Sequence, residues 1–309
     1  PAVPAGAAEA EAWLRAKEAR QPLRPDNQAR VLWGGRPGER RPLCILYLHG
    51  YSACWREGGP LHQETAQRYG ANLLLTRLAG HGLQTDEPLG DLRAQDLWED
   101  AKEALALAGA LGDRVLLMAT SSGAPLALQL ARHFPERVEG LVLYSPNFEI
   151  RAPGSSLLDQ PWGLQLARAI KGGRSNQWEE ATPEQARYWY VRQRLEGAVQ
   201  LQALLQAALD PADLAQVRQP VYMACYFRDA EHQDPTVSVA AMHRVLGRLG
   251  TDQRLKRLQA FPEAGTHVIP CDLFNPRWKE VEAGTWDWLE QVLDWRAAAE
   301  RIREQGGKA

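Results

Sequence analysis

The chain has 309 residues, 45% hydrophobic and 24% charged, with 36 basic against 38 acidic side chains and a formal net charge of −2. That length and apolar content suffice for a large buried core, while the near-neutral balance leaves no electrostatic footprint for nucleic acid or an anionic membrane surface. No apolar run reaches the roughly 20 residues needed to cross a bilayer, so a transmembrane segment is not expected.

The opening PAVPAGAAEAEAWL has neither the basic start nor the apolar centre of a signal peptide and begins without Met. A cytoplasmic protein and an exported one with its signal removed therefore both stay open. Residues 1–23 are expected to form an irregular or helical arm. From there strands and helices alternate. LCILYLHG (43–50) and NLLLTRL (72–78) are continuous apolar runs of the kind that buried strands show, and DLWEDAKEALALAGAL (96–111) has apolar residues at helical spacing. RVLLMAT (114–120) predicts a strand, APLALQLARHF (124–134) a helix and VEGLVLYSP (138–146) a strand. Residues 150–216 read as helices without a strand, PWGLQLARAI and PEQARYWYVRQRLEGAVQLQALLQAAL flanking the polar, Gly-bearing KGGRSNQWEE. The strand–helix alternation resumes with PVYMACYF (220–227), VSVAAMHRVLGRL (237–249) and LKRLQAFP (255–262), before a closing helix over 278–302. The expected class is α/β, a mostly parallel central sheet with helices on both faces, in which 24–149 and 217–300 form the core and 150–216 an inserted helical lid over the strand ends.

Between the strand at 114–120 and the helix at 124–134 lies Ala119-Thr120-Ser121-Ser122-Gly123. Its strand, sharp turn and helix fit a nucleophile elbow, Gly-x-Ser-x-Gly, with Ala at the first glycine. Such a turn holds its central residue in a strained conformation, so the positions two away must be small. Ser121 is the nucleophile candidate, and a polar turn without chemistry is the competing reading. In this arrangement an acid follows a later strand and a histidine the last one. Asp229 and Asp234 both follow the strand at 220–227, and FPEAGTHVI ends a strand with a Gly-x-His turn at His267.

At each of these places the chain resembles the α/β-hydrolase superfamily, as it does at YLHGYSA (47–53), RLAGHG (77–82) and HFPERVEGLVLYSP (133–146). The resemblance implies a serine carboxylesterase or lipase-like enzyme. It makes Ser121 the nucleophile, His267 the general base and Asp234 the favoured acid, because DPTVS (234–238) resembles the family's acid turn, with Asp229 as the alternative. It assigns the oxyanion donors to the backbone N–H groups of Tyr51 and Ser122, leaving the Tyr51 ring free to contact substrate. Tyr51, Trp55 and Trp162 are the expected substrate contacts, and Trp178 and Trp189 share the lid; ordinary packing competes for each tryptophan.

The implied reaction is cleavage of carboxylic esters, small-molecule or polymeric, through an acyl-enzyme. An aminopeptidase or amidase, with Glu179, Glu180 or Glu184 holding a substrate amine, and a non-catalytic ligand-binding member are the alternatives. No metal or cofactor is expected: no clustered His/Cys spacing, full GxGxxG or P-loop is present. His49 and His81 read as structural, and His62, His133, His232 and His243 as surface residues. None of the cysteines forms a CxxC pair; Cys44 and Cys225 read as buried thiols, and a Cys54–Cys271 disulfide would tie the oxyanion loop to the loop after His267.

Overall fold

The computed structural model describes residues 3–299. The elements run α1 (Ala7–Glu18), β1 (Arg30–Leu32), β2 (Arg41–Leu48), α2 (Leu61–Tyr69), β3 (Asn72–Leu75), α3 (Ala94–Leu111), β4 (Gly112–Thr120), α4 (Gly123–His133) and β5 (Val138–Tyr144). They continue with α5 (Gly163–Lys171), β6 (Ser175–Gln177), α6 (Pro183–Tyr188), β7 (Arg192–Arg194), α7 (Leu195–Ala208), α8 (Pro211–Leu214), β8 (Val221–Cys225), α9 (Val239–Arg248), β9 (Lys256–Ala260) and α10 (Trp278–Leu293).

Seven strands form one sheet in the order β1-β3-β2-β4-β5-β8-β9. Within this sheet β1 runs antiparallel to β3, and the other pairs are parallel. The apolar runs are continuous because both faces are covered, and alternate residues go to opposite cores. On one face Leu46, Leu48, Leu117, Ala119 and Leu143 meet α3 and α4, and on the other Ile45, Tyr47, Met118, Tyr144 and Tyr222 meet α2 and α10. Parallel order brings the C-terminal ends of β2, β4, β8 and β9 to one edge, where the loops that follow them can meet.

Four local expectations are corrected. The antiparallel edge strand β1 was not anticipated from sequence. Residues 150–216 contain a short antiparallel hairpin, with Ser175 opposite Arg194 and Gln177 opposite Arg192, so the segment is not wholly helical. Within 183–209 the helix stops at Tyr188 and restarts at Leu195. A capping box between Thr182 and Gln185 opens α6, but Trp189-Tyr190-Val191 is aromatic and β-branched and favours extended backbone. The Tyr190 N–H donates to Ser52 O (2.8 Å), and the Tyr190 hydroxyl accepts from the Leu83 N–H (2.6 Å), which fixes this stretch against the body of the fold. The closing helix ends at Leu293, where Asp294 turns left-handed at φ 51°; the part of that expectation at 300–302 lies outside the described residues.

The N-terminal stretch is integrated into the core. Ala7, Ala10 and Leu14 of α1 are buried, and Glu18 at its end accepts from both Arg77 Nε and Nη2 at 2.8 Å, with each side chain 6% exposed. Arg77 also donates to His81 O (3.2 Å).

The turn from Leu78 to His81 is joined to the loop after β2 by two buried imidazoles. His49 Nε2 accepts from the Leu78 N–H (3.0 Å), and His81 Nε2 accepts from the Ser52 N–H (3.1 Å). His62, expected on the surface, is fully buried against Tyr47, its Nε2 2.8 Å from Trp55 O. The polar neighbours of HQE in the sequence gave no sign that this face of α2 packs inward. Burial lowers all three imidazoles, His62 and His81 to about 4, so they sit neutral in the fold.

Two outcomes follow. Glu18→Ala leaves the Arg77 guanidinium buried without its carboxylate and should cost about 3 kcal/mol of unfolding free energy in urea titrations; an unchanged midpoint would mean the pair contributes nothing. His81 is depressed in the fold relative to the ordinary 6.5, so its stabilising contribution is complete above about pH 6.5 and is lost as pH falls toward 4. The stability deficit of His81→Gln should therefore shrink on acidification by up to about 1.4 kcal/mol per pH unit in that window, and a pH-independent deficit would contradict it.

Candidate active site

β4 runs directly into the turn at Ser121, whose φ of 52° lies in the left-handed region although it is not glycine. Its environment holds it there. The Ser121 N–H donates to Tyr144 O (3.0 Å), while Ser121 O accepts from the Ala124 N–H (3.1 Å) and the Asn147 N–H (3.0 Å). Gly123 is required by close approach, since a Cβ there would stand 2.3 Å from Leu48 O. Ser122 occupies the N-cap position of α4, with no capping bond from its side chain.

The acid and the histidine arrive from β8 and β9. Residues 228–233, longer than the acid turn that Asp234 resembles, fold back on themselves: the Arg228 N–H donates to His232 O (2.8 Å), and the Asp234 N–H donates to Tyr226 O (3.0 Å). The excursion returns the chain to the strand end, so Asp234 stands there fully buried. Asp229 sits at the exposed tip, its carboxylate taken by the N–H groups of Glu231 and His232 and by the His232 ring. The two acids do not share His267. Its Nδ1 is 2.8 Å from Asp234 Oδ2, while Asp234 Oδ1 accepts from the Thr236 (2.8 Å) and Val237 (3.1 Å) N–H groups.

Electrostatics follow this geometry. Burial by itself pushes the Asp234 carboxyl up, but the His267 charge and the hydrogen bonds outweigh it and hold Asp234 below the ordinary carboxylate value. Burial likewise disfavours the charged form of His267, and Asp234 overcomes it, so this imidazole is raised where the buried His49, His62 and His81 are lowered.

Ser121 and His267 line one cleft of about 990 Å³, together with Tyr51, Glu57, Trp178 and Trp189. Residues from 150–201 provide much of its wall, among them Leu157, Leu166 and Ile170, which are also exposed. The Tyr51 hydroxyl is buried in this wall without a hydrogen-bond partner, and burial pushes it up.

Several expected contacts are corrected. Trp55 does not line the cleft: its indole N–H donates to Asp26 O (2.6 Å), and the Arg30 guanidinium lies 4.7 Å from its ring. Trp162 stands 52% exposed at the N-terminal end of α5, also outside the cleft. Cys54 and Cys271 are both free and buried, with the Cys271 thiol directed to Arg56 O (3.4 Å) rather than to another sulfur. Of the three acids considered for amine binding, Glu180 lines the cleft and Glu179 and Glu184 do not. Glu57, a buried acid in the cleft wall, was missed; only its place in the loop after His49-Gly50 could have drawn attention to it.

No curated protein matches this chain in sequence. Solved structures resemble it in fold. One from work on LipS and LipT, two metagenome-derived lipolytic enzymes, superposes with a TM-score of 0.69 at 17% identity, covering 87% of this chain and 99% of its own. The monoacylglycerol lipase of Paleococcus ferrophilus gives 0.61 at 15% identity, covering 84% and 97% respectively. A soluble variant of monoglyceride lipase from Saccharomyces cerevisiae gives 0.63 at 11%, covering 86% and 91%. The sequence model of the alpha/beta hydrolase family matches residues 45–283, which run from within β2 through β9 and include the elbow, Asp234 and His267. The chain belongs to the alpha/beta hydrolase family.

Proposed function

We propose that the protein is a serine hydrolase of carboxylic esters, acting through an acyl-enzyme on small to medium apolar acyl or aromatic esters. The observation that carries this reading is His267, paired with the buried Asp234, lining the same cleft as the left-handed Ser121. A serine hydroxyl is a weak nucleophile at neutral pH, and an imidazole held in one tautomer by a carboxylate is the base that activates it. In this reading His267 Nε2 takes the Ser121 proton as Oγ attacks the ester carbonyl. The imidazolium, stabilised by Asp234, then protonates the leaving alcohol. Water repeats the sequence on the acyl-enzyme and regenerates Ser121.

The oxyanion is assigned to the N–H groups of Tyr51 and Ser122, the latter at the positive end of α4, where a developing negative charge is favoured. Residues 150–216 serve as a lid whose Leu157, Leu166 and Ile170 offer apolar surface to the acyl group. A cleft of about 990 Å³ suits a substrate of medium size. The lipolytic and monoglyceride lipase structures of similar fold agree with ester cleavage. A second reading, amide or aminopeptide hydrolysis, is favoured by one observation, the presence of Glu180 in the cleft wall.

p-Nitrophenyl esters from acetate to palmitate, assayed beside aminoacyl p-nitroanilides, separate the readings. Ester turnover should exceed amide turnover, and both Ser121→Ala and Asp234→Asn should lower kcat by about 10,000-fold. Asp229→Asn, outside the site, should stay within about twofold by the ordinary behaviour of exposed positions. Turnover of the anilides alone would transfer the assignment to amides, and a loss in Asp229→Asn equal to that in Asp234→Asn would transfer the acid's role.

A further inference from the structure

The ester-cleaving reaction as written leaves one buried acid of the cleft without a role. Glu57 sits on a short 3-10 turn, Trp55–Gly58, is 2% exposed, and lines the cleft with Ser121 and His267. Its Oε2 accepts from the Gly50 N–H and lies 3.5 Å from the Tyr47 hydroxyl, which donates to Thr120 Oγ1 (2.9 Å). Its proximity to the nucleophile can be read at Gly50. A Cβ built there would lie 2.8 Å from Glu57 Oε1 and 2.9 Å from Ser121 Cβ, so the carboxyl and the serine flank the same point.

We propose that Glu57 is a positioning residue of this site: it holds the Gly50 N–H, thereby fixing the His49–Gly50 peptide from which the chain turns into Tyr51 beside Ser121, and places a second carboxyl within electrostatic reach of His267. The proposal rests on the ester-hydrolase reading above.

Three features of the chain support it. The His49–Gly50 peptide leads from the end of β2 into Tyr51, so holding its N–H limits where the next N–H, that of Tyr51, can point, and a buried carboxyl is a strong acceptor for such a donor. The loop is also held by His49 Nδ1, which donates to Gly50 O (2.9 Å), and by His81 at the Ser52 N–H, while Glu57 holds the Gly50 N–H. The groups facing Glu57 are few: Tyr47 from β2, His267 from the loop after β9, and the Cys54 and Cys271 thiols. The neighbouring Arg56 turns away to pair with Asp272 at 2.6 Å. Burial raises Glu57 to about 7, against the pull of the Gly50 N–H and the His267 charge, and Glu57 in turn favours the charged imidazole.

Two substitutions separate holding from charge. Glu57→Gln keeps an oxygen for the Gly50 N–H and removes the negative charge; Glu57→Ala removes both. Nitrogen-15 NMR titration of His267 in the full chain should show its midpoint falling by about half a pH unit or more in both variants, because the imidazolium loses a carboxylate neighbour. With the ester that wild type hydrolyses best, the acid limb of kcat/KM should move the same way. Glu57→Ala should lower kcat about 100-fold with KM within about threefold, the loss expected for a misplaced oxyanion donor, and Glu57→Gln should recover at least about tenfold of it. An unmoved His267 midpoint in Glu57→Gln overturns the proposal, as does a Glu57→Ala kcat equal to that of wild type. Wild-type chain that cleaves no ester overturns the ester-hydrolase reading, while the NMR titration still decides the place of Glu57.

Discussion

The molecule is organised around the close approach of the β4–α4 turn to the end of β2. Gly123 lies so near Leu48 O that no side chain fits between them, and this proximity forces the chain to reverse at Ser121 in a left-handed conformation. A non-glycine residue in that region costs roughly 1–3 kcal/mol and persists only where its surroundings over-determine it. Here they do: Tyr144 O from β5 accepts the Ser121 N–H, and the Asn147 N–H donates to Ser121 O. Pairing of β2, β4 and β5 thus sets the direction of one hydroxyl, and the loop after β2 inherits its position from the same contact.

Much of this was legible in sequence because parallel sheets buried on both faces leave a local trace. The runs LCILYLHG and RVLLMAT are continuous in apolar character, and small residues bracket Ser121 at the turn. Asp234 could be favoured over Asp229 from its following turn, although the reason that turn occupies the strand end is tertiary: residues 228–233 close on themselves and cancel their own length. What stayed hidden was the burial of polar and aromatic side chains by elements distant in sequence. His62 read as polar surface, and Glu57 drew no reading, because the residues that bury them, Tyr47 among them, are separated from them by a loop. Trp55 and Trp162 follow the same logic in reverse: a tryptophan's composition says it will pack, whereas which wall it faces depends on partners such as Asp26 and Arg30. The β6–β7 hairpin was masked by helix-forming residues on both sides of a short extended stretch.

The buried histidines show how one side-chain type is divided between architecture and chemistry. His49, His62 and His81 meet backbone groups and are held neutral by desolvation, each serving as a fixed peptide-like partner in a loop. His267 is largely enclosed at the cleft wall, and a carboxylate at 2.8 Å reverses the sign of its response. The difference is a single neighbour. Placing that neighbour at the end of one strand and the imidazole after the next sets the raised imidazole at the edge of the sheet, while the neutral rings hold the loops that surround it.

All four cysteines are unpaired and buried, and burial raises each thiol to about 12. A thiol in that condition reacts only when the chain around it opens, since the thiolate is the reactive species. Cys44 and Cys225 lie in strands β2 and β8, whereas Cys54 and Cys271 lie in the loops next to the cleft. The fold therefore contains its own clock: alkylation of the loop pair times openings beside the cleft, and alkylation of the strand pair times the rarer rupture of the sheet.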